Sequence, residues 1–217
     1  MKLERGELAR AHLRPRAAAV AGILFSALLL AVLGLMRMSV PSDPLETGAW
    51  LQDDVSHVTL ALHMVPFAGI AFLWFIGVLR DRLGEREDRF FATVFLGSGL
   101  LLLAMLFAAA AVVGAIILAF HAAPEGLILS ANFHFARSMA YGLINIYLVK
   151  TAAVFMITTS TIALYTRLTP TWLAIGGYVV AVILLFGSYY ISWSLAVFPI
   201  WVLLVSICLL MEQDTPH

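Results

Sequence analysis

Six runs of about twenty apolar residues, none containing an aspartate or glutamate, constrain this chain more than any other feature. A helix rises ~1.5 Å per residue, so about twenty such residues cross the ~30 Å hydrocarbon layer of a bilayer. Inside that layer the backbone must satisfy its own polar groups, which only helices and closed barrels do. The runs are Ala17–Met38, His57–Leu79, Phe90–Phe120, Met139–Leu164, Trp172–Tyr189 and Ser194–Met211. The third would reach roughly 46 Å as a helix and must tilt or protrude; the helical pattern of the fourth extends upstream of Met139.

The expected fold is therefore an all-α integral membrane protein, a bundle of six transmembrane helices with N and C termini cytoplasmic. A basic tail (1–16) precedes the six-helix domain (17–211), and a short tail follows (212–217). The 217 residues are 62% hydrophobic and only 12% charged, which leaves no room for a separate soluble domain. A formal net charge of zero offers nucleic acid no overall attraction. The first run is too long for a signal-peptide core, and Met36-Arg37-Met38-Ser39-Val40-Pro41 lacks a small-x-small cleavage pattern, so it reads as an uncleaved span.

Orientation follows from the basic residues, which are retained on the cytoplasmic side. Lys2, Arg5, Arg10, Arg14, Arg16, Arg80, Arg82, Arg86, Arg89 and Arg167 fall on one face. The other face holds Arg37 and Arg137 beside Asp43, Glu46, Asp53 and Asp54. Alanine and leucine richness without organellar signals points to a bacterial-type plasma membrane. The segment Arg80–Arg89 interleaves both signs and reads as a tight, solvated hairpin.

Lys150 is the one fixed charge near the middle of a run. A lysine there costs several kcal/mol in lipid, so it is expected to face protein or a water-filled cavity. At 100° per residue, Tyr147, Lys150 and Thr161 form a broken polar stripe, whereas Asn145 lies on another face. With Thr158-Thr159-Ser160-Thr161 following, this run has polar groups on more than one side and is expected at the centre of the bundle.

His57, His63, His121 and His134 all map toward the acidic face. Imidazole suits haem and transition metals, yet His57 and His63 are about 120° apart on a helix and cannot form a compact i, i+4 metal pair. His63 lies deeper in its run than His57. Asp53 and His57, at i, i+4, are expected to pair.

Ala104, Ala108, Ala111 and Ala115 recur on one side of the third run, a stripe that lets helix backbones approach closely, within the chain or in a homo-oligomer. Trp50, Trp172, Tyr189, Tyr190 and Trp193 fall at run boundaries, as in an interfacial belt, while Trp74 and Trp201 are expected to pack. Cys208 stands alone and forms no internal disulfide.

No Gly-x-Ser-x-Gly, Walker A, Cys-x-x-Cys or His-Glu-x-x-His pattern occurs, and no intramembrane acid pair is present. The leading expectation is a small channel or transporter for an anion or anionic solute, with the fourth helix lining the path at Lys150, Tyr147 and Thr161, and His63 nearby. The alternative is a non-catalytic accessory or assembly subunit of a larger membrane complex. A third reading is a haem- or metal-binding redox protein using His57, His63, His121 and His134; no cofactor is otherwise expected.

Overall fold

The computed structural model describes residues 2–41, 48, 50–83, 89–128, 130–166, 169–187 and 194–211. The described residues are helical apart from short connections, with no strand among them. The elements are α1 (Lys2–Ser39), a single turn α2 (Trp50–Asp53), α3 (Val55–Leu83), α4 (Arg89–Ala122), a second single turn α5 (Pro124–Leu127) and α6 (Ala131–Gly142). A π-helical segment, Leu143–Leu148, leads into α7 (Val149–Thr166), followed by α8 (Thr171–Gly187) and α9 (Ser194–Met211).

Local chemistry sets several boundaries. The Ser130 hydroxyl accepts the Phe133 N–H at 3.2 Å and caps the start of α6. From there α6, the π segment and α7 run without interruption, so the fourth apolar helix is Ala131–Thr166, well upstream of Met139. The basic segment 2–16 is helical and continuous with the first span.

Among the described residues five helices are long and apolar enough to cross a membrane: Ala17–Ser39, Val55–Arg80, Phe90–Ala122, Ala131–Thr166 and Ser194–Met211. The chain is an all-helical, multi-pass membrane protein. The remaining apolar helix, α8, has 17 residues and spans about 26 Å, a little under one hydrocarbon thickness. The hairpin residues 84–88, Asp43, Glu46, Arg167, the boundary aromatics Tyr189, Tyr190 and Trp193, and the tail 212–217 lie outside the described residues.

Packing closes these helices into a ring. α1 lies along α3 and α9, α3 against α4, α4 against α6, the π segment and α7, and α7 against α8 and, more lightly, α9. Its centre is filled by Phe25, Phe72, Phe95, Phe155 and Phe198, all fully buried, one each from α1, α3, α4, α7 and α9. Phe72 and Phe155 have ring centroids 5.1 Å apart, Phe95 and Phe155 5.0 Å, Phe25 and Phe72 4.5 Å, and Phe155 and Phe198 6.0 Å. At such separations aromatic pairs contribute about 0.5–1.5 kcal/mol beyond the area they bury. Gly99 makes the tight α3–α4–α7 approach possible: a Cβ there would press on Ile76 and Phe155.

A second apolar cluster caps the end of the bundle opposite Arg80 and Arg89. Trp50 and Leu51 of α2 pack with Val58, Val113, Ile116, Ile117 and Phe133. Trp50 is only 4% exposed, so it is part of a core and not of an interfacial belt. Trp74 departs the other way: expected to pack, it is 69% exposed on α3, whereas Trp201 is buried and Trp172 exposed as expected. The alanine stripe also faces outward, with Ala104, Ala111 and Ala115 exposed and Ala108 half-buried. Close approach inside the chain uses Gly69 against Phe107 and Gly99 against Ile76 instead.

Candidate functional site

Lys150 sits on the second residue of α7, immediately after the π turn, and is exposed on the lateral surface of the chain. It forms no hydrogen bond or ion pair among the described residues. Tyr147, one turn nearer the cap, is 58% exposed. Thr161 is buried, so the expected stripe divides: Tyr147 and Lys150 face out and Thr161 faces in.

The α7–α8 pairing explains this division. Thr161 donates to the Ile157 carbonyl at 2.8 Å, which uses its only hydrogen, so the 2.5 Å contact with Tyr178 on α8 has the phenol donating to the threonine oxygen. One residue earlier, Ser160 meets Gly177, where a Cβ would collide with the Ser160 hydroxyl and press on the Trp201 indole nitrogen. From that crossing both helices run about 15 Å toward the cap before reaching Lys150 on α7 and Gly187 on α8. Over its described length α8 therefore lies along the threonine-rich part of α7.

The hydroxyls of α7 are mostly spent on their own helix. Thr158 donates to the Phe155 carbonyl at 3.0 Å, Thr159 to the same carbonyl at 2.7 Å, and Thr166 to Ile162 at 2.7 Å. Back-bonding of this kind stabilises hydroxyls in lipid and removes them as free ligands. Ser160 is the exception: its oxygen and Trp201 Nε1 are both buried without a hydrogen-bond partner. The π segment carries Asn145, whose side-chain amide donates to the Tyr141 carbonyl at 3.1 Å. Widened turns of this kind are frequent at functional sites.

No protein-family model matches the chain, and no curated protein or solved structure matches it either.

The histidines are placed as follows. His57 and His63 are exposed on α3, His63 on a ridge with Leu60, Phe67, Ile70 and Trp74. His57 Nδ1 lies 3.4 Å from Asp54 Oδ1, not against Asp53, because the bend at Asp54 separates α2 from α3 and removes the expected i, i+4 relation. His121 Nδ1 is 2.7 Å from the Ile117 carbonyl, a contact within its own helix, and the exposed His134 ring packs edge-on to Phe133 at 5.6 Å. Among the described residues no three His, Cys, Asp or Glu side chains come together in a group that could hold a metal ion.

Two features escape a sequence reading. Arg137, counted only as a basic residue at the acidic face, is 6% exposed, and its Nη2 donates to the Pro41 carbonyl at 3.2 Å, fastening the chain after α1 to α6. Ser160, Gly177 and Trp201 form a crossing that no motif marks. Arg137 within Asn132-Phe133-His134-Phe135-Ala136-Arg137 offers a partial signal, since a basic residue four beyond a core aromatic shares its helix face.

Proposed function

We propose that this chain is a non-catalytic accessory or assembly subunit of a larger membrane complex, a six-span bundle with both termini cytoplasmic in a bacterial inner membrane. The observation that carries this reading is the aromatic filling of the ring's centre: five fully buried phenylalanines pack between the helices that supply them. The self-bonded hydroxyls of α7 support it further. Outward-facing polar residues (Lys150, Tyr147 and His63) and the exposed small-residue face of α4 at Ala104, Ala111 and Ala115 are surfaces suited to neighbours, whether other subunits or further copies of this chain.

The second reading is a small channel or transporter for an anion or anionic solute, whose path runs between copies along α7. It is favoured by the exposure of Lys150 and of Tyr147, a cation and a phenol three residues apart on the outside of the chain.

Purification in mild detergent and anion flux in proteoliposomes separate the two. Stable association with other membrane proteins and no intrinsic flux is expected for the subunit. Flux whose rate or anion preference changes in Lys150→Ala and Lys150→Glu would replace it with the channel.

A further inference from the structure

We propose that Lys150 docks against a membrane-spanning helix of a different protein, one that carries an aspartate or glutamate inside the bilayer. This rests on the subunit reading and names the chemistry of the neighbour.

Ring contacts set the depth of Lys150. Between Arg16 and Arg37 α1 carries no charge over about 32 Å, close to one hydrocarbon thickness. Phe25 of that stretch meets Phe72 at 4.5 Å, and Phe72 meets Phe155 at 5.1 Å. Phe198 touches both Phe25 and Phe155, at 5.9 and 6.0 Å, so the four rings form one layer. Along α1 that layer stands about 14 Å from Arg16 and about 18 Å from Arg37. Lys150 precedes Phe155 by five residues, about 8 Å toward the cap, where Phe133 of α6 and Met36 of α1 both pack. It therefore lies about 10 Å inside the level of Arg37. A stem of four methylenes is shorter than that, so the ammonium stays within the hydrocarbon layer.

Nothing near it supplies a counter-charge. Lys150 is exposed and has no hydrogen bond or ion pair among the described residues. The adjacent Thr151 hydroxyl is committed to the Tyr147 and Leu148 carbonyls of its own helix, at 3.0 and 2.9 Å. Val154 and Ile157, four and seven residues further on and only half-buried, continue the same helix face and give a neighbouring helix apolar surface to pack on.

The chain's own composition then selects the occupant. No Asp or Glu occurs in any of its apolar helices, α8 included, so a second copy would bring another ammonium and no carboxylate. Hydrocarbon tails pair with no ammonium, whereas ionisable groups inside membranes pair with one another. A carboxylate in an apolar helix is the complementary case, costly alone and stabilised by the same contact.

Synthetic polyleucine helices with one central Asp, Asn or Lys, reconstituted with the full chain in phosphatidylcholine vesicles, test this by energy transfer from labelled protein to labelled peptide. The Asp peptide is expected to bind about fivefold more tightly than the Asn peptide, and the Lys peptide most weakly. Lys150→Met should remove the Asp preference, and Lys150→Arg should keep it. Because the peptide series is read on the unaltered chain, it decides the site even if a variant fails to fold. Equal binding of the Asp and Asn peptides overturns the proposal. In native membranes a photocrosslinker at position 154 should capture a segment whose apolar run contains Asp or Glu; capture of lipid alone, of a second copy or of a helix without an acid also overturns it. A native complex that survives Lys150→Met overturns the docking site and leaves the subunit reading standing, whereas wild type that purifies alone overturns the subunit reading itself.

Discussion

Tyr178 on α8 donates a 2.5 Å hydrogen bond to Thr161 on α7, and this bond anchors the shortest apolar helix to the bundle. Interhelical hydrogen bonds between membrane helices contribute modestly, on average about 0.6 kcal/mol. Tyr178→Phe should cost about that much, read as a small drop in the unfolding midpoint of the solubilised protein. A loss of several kcal/mol would mean that the hydroxyl holds more than Thr161.

Gly177 should be far less tolerant. Its missing side chain lets α7 approach through Ser160 and α9 through Trp201. Gly177→Ala is expected to cost about 1–3 kcal/mol by overpacking. Ser160→Ala in the same chain should recover part of it, because the hydroxyl is the nearest obstacle. A double mutant no more stable than Gly177→Ala would place the obstruction elsewhere.

Phe155 touches Phe72, Phe95 and Phe198 in the sealed centre. Phe155→Ala is expected to destabilise by about 3–5 kcal/mol, and Phe155→Leu by clearly less. Thermal denaturation in detergent measures both. Equal effects of the two would contradict a tightly packed aromatic core.

Arg137 and Pro41 form the latch of the cap. Arg137→Gln shortens the donor and should cost about 1–3 kcal/mol, released locally as loosening of the cap. In a Cys208→Ser background, a cysteine at position 50 should become reactive to a membrane-impermeant maleimide only when Arg137 is replaced. Labelling at equal rates in both forms would separate the arginine from cap closure.

The passage of α8 decides the topology. If α8 crosses, a reporter fused after His217 and one inserted in the 84–88 segment report the same compartment; a five-span chain would put them in opposite ones. The same compartment is expected.

Much of the fold was legible as hydrophobic length. The spans at 17–38, 57–79, 90–120 and 194–211 stand close to the helices found, because crossing ~30 Å imposes a run length whatever the packing. The upstream extension of the fourth span was legible too, although the π turn within it was not, since nothing in Leu143-Ile144-Asn145-Ile146-Tyr147-Leu148 forbids a regular α-helix. Of the candidate site, the residue types were visible and their partners were not.

Lys150, Tyr147 and Thr161 show why. In water an amphipathic face reveals which side of a helix is buried, but here lipid and core are equally apolar, and a side chain facing either obeys the same sequence rule. By itself the sequence determined that the chain lives in a membrane, roughly where it crosses, and which residues carry charge or hydroxyls within the spans. Only the tertiary structure decided that Thr161 is covered by Tyr178, that Lys150 is left exposed, and that Arg137 is enclosed beneath the cap. Those outcomes depend on which helices pack against each face.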